Sequence, residues 1–320
     1  MIWKTERLDY YAEDLFSGME RAMPQRWQKG YTQKNAGVLM KRTPTLDHFA
    51  VIISGGAGNG PLFPGYVGEG LADAASIGGT FSAPNAYAIY EAGKALGREH
   101  GVLLLYNNFA GDYLNNDMAQ ELLEQEGIRV ETVISTDDIC TAPGEPRENR
   151  SGRSGIALLI KLAGSYAASG MELGEAAKRL RYASTRLGTI SVHVDHAAGR
   201  IGYGGGFSGE PPVRVETHMD MARCAQEAAA LLLEDLKPRK DETLFLLVNR
   251  LRLSSYADSY IMANLMVKTL EAQGLCVAQL RVAPFSNIMD LYGFDFNLLC
   301  MDEDTAGRMD TFLCSDCFVI

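Results

Sequence analysis

A short apolar run that leads directly into a glycine-rich segment constrains this chain more than any other feature. Residues 49–53 are Phe-Ala-Val-Ile-Ile, and residues 54–61 are Ser-Gly-Gly-Ala-Gly-Asn-Gly-Pro. Such an apolar run is typical of a strand buried on both faces of a parallel sheet. Ligands of α/β proteins bind at the carboxyl ends of such strands, and glycine lets the backbone approach them closely. The sequence therefore predicts a ligand-binding loop at residues 54–61.

The order of residues in this loop excludes the common phosphate-binding motifs. No Gly-Lys-Ser/Thr closes the segment, and the glycine spacing does not fit Gly-x-Gly-x-x-Gly. Pro61 and Pro64 would also interrupt a helix that followed immediately. We therefore expect no nucleotide or other cofactor to be bound by this chain. By glycine count alone, a tight structural turn is an equally good interpretation.

Composition narrows the classes of partner. The chain has 320 residues, is 47% hydrophobic and carries a formal charge of −10, with no cluster of Lys and Arg. This argues against binding to nucleic acid or to an anionic membrane. We expect a cytoplasmic protein, because the amino terminus lacks an apolar signal segment and no apolar run approaches the roughly 18 residues of a membrane helix.

The cysteines and histidines do not predict a metal site. Six cysteines are too sparse for a disulfide scaffold, and the single pair Cys314 and Cys317 cannot complete a tetrahedral zinc site. His193 and His196 form a His-x-x-His pair, but no third ligand is implied, and structural histidines are the simpler interpretation. We expect no metal.

Alternating apolar and helical patterns predict an α/β fold with two domains. A leading amphipathic helix is expected over residues 8–23. Strands at 102–106 and 128–134, separated by a helix near 118–125, indicate βαβ organisation and a mostly parallel sheet flanked by helices. With a helix beginning near 156 and another over 172–187, these elements form a first domain over residues 1–187.

The pattern changes after residue 187 and predicts a smaller, mixed α/β domain over residues 188–320. Short strands are expected at 190–194 and around the glycine run at 202–206. Further elements alternate to the carboxyl end, with helices over 220–236 and 256–273 and strands over 243–248, 276–282 and 294–300.

Several motifs occur in one distinctive order along nearly the whole chain. The loop at 54–61 is followed by Gly-Tyr-Val-Gly at 65–68, Phe-Ser-Ala-Pro at 81–84, Asn-Asn-Phe-Ala-Gly-Asp at 107–112 and Phe-Ser-Gly-Glu-Pro at 207–211. Together these segments resemble the substrate-binding (DhaK-type) subunit of dihydroxyacetone kinases, whose pattern runs Ser-Gly-Gly-Gly-Ser-Gly-His-Glu-Pro, Gly-Tyr-Val/Ile-Gly, Ser-Pro, Lys-Asn-Tyr-Thr-Gly-Asp and Ile-His-Gly-Glu-Pro-Gly. The resemblance implies the same two-domain α/β fold and a homodimer.

The resemblance also implies a mechanism and a partner. In that family a small ketose is held as a covalent hemiaminal on one histidine, while an aspartate and a second histidine handle protons. The phosphoryl donor lies on a separate helical nucleotide-binding kinase subunit. By position, Asp112 matches the family's catalytic aspartate, and Gly55, Gly56 and Gly58 match glycines of its substrate loop.

Several positions depart from the family pattern: one glycine of the loop is deleted, and Gly60 replaces the glutamate beside the proton-handling histidine. Asn59 stands in place of the proton-handling histidine, Ser208 in place of the covalent histidine, and Asn107 in place of the lysine before the Asn-Tyr-Thr-Gly-Asp motif. Without the covalent histidine a hemiaminal cannot form, so the site no longer demands a carbonyl. Asn59, Asn107 and Ser208 can still hold a small hydroxylated ketone or polyol by hydrogen bonds.

Two functions follow from these substitutions. One is a dihydroxyacetone-kinase-like subunit that binds a small hydroxylated ketone or sugar non-covalently, with Asp112 assisting phosphoryl transfer from a partner subunit. The alternative is a non-catalytic paralogue that acts as a ligand sensor or coactivator. A further alternative is catalysis by a relocated histidine, His193 or His218.

Overall fold

The fold was analysed in a computed structural model, which describes residues 8–44, 47–80, 82–97, 99–207, 210–217, 220–288 and 291–309. The chain divides into two compact units. The first comprises residues up to Ser135, Ala157–Arg181 and the residues from Arg308 onward, and the second comprises Thr136–Ile156 and Tyr182–Gly307. The expected two-domain α/β architecture is confirmed. The predicted domain boundary between residues 187 and 188 stays a prediction. It lies near residues 181 and 182, where the chain leaves the first unit for the second, but it assigns Thr136–Ile156 to the first domain.

The first unit is built on a six-stranded sheet whose central part is parallel. The spatial order is β1-β2-β4-β3-β5-β6. Strands β4, β3, β5 and β6 are parallel neighbours, while the pairs β1/β2 and β2/β4 are antiparallel. This agrees with the mostly parallel sheet predicted from the sequence. The strands are β1 (Trp27–Gln33), β2 (Ala36–Lys41), β3 (Ala50–Gly55), β4 (Ala74–Ile77), β5 (Val102–Asn107) and β6 (Val130–Ser135).

Helices flank this sheet. Side chains from helices α2 and α3 join Ile52 and Leu104 of the sheet in one apolar cluster, which includes Leu123. Gly164 of helix α4 lies so close to the turn at 68–71 that a Cβ there would be 2.3 Å from the carbonyl oxygen of Gly70. The helices are α1 (Tyr11–Ala22), α2 (Ala86–Leu96), α3 (Ala110–Gln125), α4 (Ile156–Ala168) and α5 (Leu173–Thr185).

The second unit contains a mixed sheet in the order β11-β10-β12-β7-β8-β9. Among the described strands of this sheet, β10 and β11 alone pair in parallel. Helices α6 and α7 pack their apolar faces against the sheet. Its elements are β7 (Leu187–Asp195), β8 (Arg200–Tyr203), β9 (Arg214–Glu216), α6 (Met221–Leu236), β10 (Thr243–Arg250), α7 (Tyr256–Ala272), β11 (Val277–Ala283) and β12 (Gly293–Met301), followed by α8 (Glu303–Met309).

No helix within the described ranges combines the length and the apolar character needed to cross a bilayer.

Candidate functional site

The predicted site residues of the first unit lie at one edge of its sheet. Gly55 ends β3 beside Ile77, the last residue of β4, and Asn107 ends β5 beside Ser135 of β6. Because these strands are parallel, the segments that follow them begin at the same edge. The glycine loop at 54–61, the segment at 78–85 and the start of α3 are therefore brought together by the sheet.

Close backbone packing explains the glycine at the first position of the loop. A Cβ at Gly55 would lie 2.0 Å from the ring of Phe63, so no larger residue fits without displacing that ring. The amide of Gly78 donates to the carbonyl oxygen of Gly55 over 3.1 Å, and the amide of Ala57 donates to that of Gly79 over 2.9 Å. The loop is thus fixed against the segment that follows β4.

Gly58 and Asn59 lie in a short 3-10 turn, Ala57–Asn59, that follows Gly56. Gly56, Gly58 and Asn59 are all half-buried. Backbone atoms of Ser82 would lie 3.5 Å from a Cβ placed at Gly56, which is ordinary van der Waals contact. Gly56 is therefore less strictly required by packing than Gly55.

Asp112 occupies the first turn of α3 and is 8% exposed. Its Oδ1 is buried and has no hydrogen-bond partner in the described part of the chain. Burial raises the pKa of this carboxyl from 3.8 to about 7, and a hydrogen bond from its own backbone amide opposes the shift only partly. A carboxyl with this pKa can accept or release a proton near neutral pH, as a catalytic acid or base must.

Asn116 links the helix that carries Asp112 to the strand that carries the glycine loop. Its Nδ2 donates to the carbonyl oxygen of Asp112 over 2.8 Å and to Ser54 Oγ over 2.9 Å. All three residues are buried, so these bonds fix the first turn of α3 relative to the end of β3. Asn116 was not predicted from the sequence; its spacing of four residues from Asp112, about one helical turn, was the available signal.

Asn115 performs a similar role on the next segment. Its Oδ1 accepts a hydrogen bond from the amide of Ala86 at 3.0 Å, and its Nδ2 donates to the carbonyl oxygen of Gly111 at 2.8 Å. The start of α2 is thereby tied to the start of α3. The same α2 is capped by Asn85, whose side chain accepts from the amide of Ala88.

Asn107 has a buried side-chain amide at the same edge of the sheet. The residue is 2% exposed, and neither its Nδ2 nor its Oδ1 has a hydrogen-bond partner among the described residues. Leaving buried polar atoms unpaired costs about 1–3 kcal/mol for each group. Buried polar groups are otherwise paired almost without exception, so an unpaired amide at the edge that carries the loops indicates a place for a ligand hydroxyl.

The second predicted loop belongs to the second unit, and Ser208 lies outside the described residues. The residues on either side of it are held in place: the amide of Gly206 donates to the carbonyl oxygen of Glu210 over 3.0 Å. Arg153, which is fully buried, donates to the carbonyl oxygen of Gly205 over 2.5 Å and pairs with Asp295. This role of Arg153 at the loop was not predicted from the sequence.

His193 also packs against the base of this loop. Its Nε2 lies 2.7 Å from Ser191 Oγ, and a Cβ at Gly205 would be 2.4 Å from its ring. Burial and the neighbouring Arg153 lower the pKa of His193 to about 4, so the imidazole is neutral at physiological pH. His218 lies outside the described residues, and the described residues contain no group of three side chains arranged to hold a metal.

Comparison with known proteins identifies the family. The Dak1 domain matches residues 17–314. The PTS-dependent dihydroxyacetone kinase 2, dihydroxyacetone-binding subunit DhaK of Listeria innocua is 31% identical over 287 residues, covering 86% of both chains. Several longer curated relatives are also similar, and the chain spans about half of their length.

Two solved structures resemble the whole chain. One, described as regulation of the dha operon of Lactococcus lactis, has a TM-score of 0.89 and 25% identity, covering 98% of this chain and 96% of that one. The other, described as the dihydroxyacetone kinase operon co-activator Dha-DhaQ, has a TM-score of 0.86 and 26% identity, covering 94% and 96%. The chain therefore belongs to the Dak1 domain family and is a homologue of the DhaK-type dihydroxyacetone-binding subunits.

Proposed function

We propose that this chain is the substrate subunit of a dihydroxyacetone-kinase-like enzyme. It binds a small hydroxylated ketone or polyol without a covalent bond, and a helical partner subunit supplies the nucleotide and the phosphoryl group. The chain itself binds no cofactor. Two buried residues at one edge of the sheet carry this proposal: Asp112, whose pKa is raised, and Asn107, whose amide has no partner among the described residues.

In this proposal Asp112 accepts the proton of the ligand hydroxyl as that oxygen attacks the phosphorus of the donor. The bond between the phosphorus and the donor's leaving group breaks, and the phosphoryl group passes to the ligand oxygen. Asn107 holds a second ligand hydroxyl, because one hydroxyl can both accept from Nδ2 and donate to Oδ1. The glycines at 55, 56 and 58 shape the loop, and Asn59 and Ser208 supply further hydrogen bonds.

Non-covalent binding follows from the residues at positions 59 and 208. Asn and Ser stand where imidazoles would be needed, and a hemiaminal requires a nucleophilic nitrogen. The ligand should therefore be lost on denaturation. Mass spectrometry of the denatured chain after incubation with dihydroxyacetone tests this; an adduct would contradict the proposal.

A phosphorylation assay with an added helical nucleotide-binding subunit tests the enzymatic part. We expect turnover of at least one of dihydroxyacetone, erythrulose, glycerol or erythritol, and a loss of about 10²-fold or more in Asp112→Asn. Asp117→Asn is the matched control, because Asp117 is exposed on the same helix. Absence of turnover with every ligand, or equal activity in Asp112→Asn, would refute a catalytic role.

A ligand sensor or coactivator is the second candidate. It is supported by the likeness to the co-activator structure at 26% identity together with the substitution of both histidine positions. Calorimetry should then show ligand binding without turnover, and the ligand should change the affinity for a partner protein by a measurable factor. Turnover in the phosphorylation assay would exclude a purely sensory role.

A further inference from the structure

A cavity of about 180 Å³ opens in the second unit, apart from the residues assigned to the proposed kinase site. It lies between strands β7, β8 and β12 and the first turns of helices α6 and α7. Its interior is apolar and is formed by Val192, Ile201, Cys224, Met262 and Phe294, which are all at least 97% buried. Polar contacts inside the cavity are therefore few, and an occupant would be held mainly by displacement of water from apolar surface.

The mouth of the cavity is polar. Asp258, in the first turn of α7, accepts a short hydrogen bond from the hydroxyl of Tyr292. The ring of His196 meets the ring of Tyr292 edge to face, with centroids 4.4 Å apart. The hydrogen bond from Tyr292 lowers the pKa of Asp258, so the carboxylate is ionised near neutral pH. An occupant therefore meets one negative charge at the open end and hydrocarbon at the closed end.

We propose that this cavity binds a small, mainly apolar molecule whose polar end is a hydroxyl or an ammonium group and not a carboxylate. The size follows from the volume, because an apolar cavity of about 150 Å³ is enough to hold benzene. One ring, or a chain of similar size, with a single polar substituent fits the available space. The chemical character of the polar end follows from Asp258, because its carboxylate attracts a hydrogen-bond donor or a cation and repels an anion.

Three probes that share one ring and differ in the polar end test the proposal: benzylamine, benzyl alcohol and benzoate. Each is titrated into the full chain and followed by calorimetry and by saturation-transfer NMR. We expect benzylamine and benzyl alcohol to bind with dissociation constants on the order of a millimolar, as befits ligands of this size. Benzoate should bind at least about 10-fold more weakly. No binding of any probe up to about 20 mM, or tightest binding of benzoate, would overturn the proposal.

Two variants assign the binding to this cavity. Cys224→Phe fills the interior and should abolish binding of all three probes; retained binding in a folded Cys224→Phe protein would overturn the assignment. Asp258→Asn keeps an acceptor for the Tyr292 hydroxyl but removes the charge, so it should abolish the difference in affinity between benzylamine and benzoate. This variant tests the proposal independently of whether Cys224→Phe folds. Asp241→Asn, at an exposed residue that does not line the cavity, is the control and should retain the full difference.

Discussion

Ionisation of Asp112 should destabilise the folded protein, and replacing the residue by Asn removes that effect. The carboxyl is buried, its Oδ1 has no partner among the described residues, and its pKa is raised from 3.8 to about 7. Asn has nearly the same shape but does not titrate. The comparison of wild type with Asp112→Asn at two pH values therefore isolates the free-energy cost of the charge.

The magnitude follows from linkage. One pKa unit corresponds to about 1.4 kcal/mol, so full ionisation in the folded state costs about 4 kcal/mol. Between about pH 4 and pH 7 the folded protein keeps the proton that the unfolded chain has released, so stability falls as the pH rises through this window. The loss is complete above pH 7. The advantage of Asp112→Asn over wild type should therefore grow by about 2–3 kcal/mol between pH 5 and pH 8.

Urea unfolding followed by tryptophan fluorescence measures this difference. Trp27 is buried in the same sheet and donates from Nε1 to the carbonyl oxygen of Val67, so in a Trp3→Phe background it reports on the first unit. Asp117→Asn, at an exposed position of the same helix, controls for the replacement of a carboxylate by an amide on α3. A constant difference for Asp112→Asn, or a variant that is less stable than wild type at pH 8, would refute the reasoning.

Three further substitutions test the packing of both units. Asn107→Leu removes an unpaired buried amide and should raise the free energy of unfolding by about 1–2 kcal/mol while weakening ligand binding at least about 10-fold by calorimetry; a loss of stability would contradict an unpaired amide. Gly55→Ala should cost about 1–3 kcal/mol in thermal unfolding because of the aromatic ring beside it, whereas Gly60→Ala, with open space around it, should change stability by less than about 0.5 kcal/mol. Arg153→Met removes the cation from two buried carboxylates, Asp138 and Asp295, and should cost about 3–5 kcal/mol in urea unfolding. Arg200→Met, at an exposed ion pair, is the control and should cost less than about 1 kcal/mol.

Sequence patterns predicted the central strands well because those strands are buried on both faces. The run at 49–53 predicts β3 (Ala50–Gly55), and the run at 102–106 predicts β5 (Val102–Asn107). The hairpin of β1 and β2 was missed. Strand β1 is largely polar and lies at the edge of the sheet. The turn between the two strands contains Asn35 in the left-handed region, with a φ of 59°, but the sequence there lacks the Asn-Gly pair that usually predicts such a turn.

Helix α3 shows why helix boundaries near the site were harder to predict. The sequence favours a helix over 118–125, but the observed helix begins at Ala110. Its first turns contain Gly111, Asn115 and Asn116, which are poor helix formers in isolation. These turns are stabilised by side-chain hydrogen bonds to Ser54 and to the start of α2, contacts between residues distant in sequence. The same distant contacts position Asp112.

The sequence predicts Gly55, Asn107 and Asp112 as site residues, but it does not predict the electrostatic state of the carboxyl. The βαβ pattern predicts parallel strands, whose carboxyl ends share one edge, and this brings Gly55, Asn107 and the start of the helix that carries Asp112 to that edge. The pKa of Asp112 depends on burial by the surrounding chain, which no local pattern encodes. Among the described residues, the effect of burial on this pKa is opposed by one backbone hydrogen bond and by no cationic side chain.

This electrostatic state connects the substitutions at the histidine positions to both proposed functions. An imidazolium close to Asp112 would lower the pKa of the carboxyl, and Asn59 carries no charge that could do so. In a kinase subunit, Asp112 would then act as a base only as the pH approaches 7 and above. In a sensor, the same carboxyl would instead be held neutral at lower pH and could donate a hydrogen bond to a ligand. The protonation state of one buried side chain therefore distinguishes the chemistry available to the two functions.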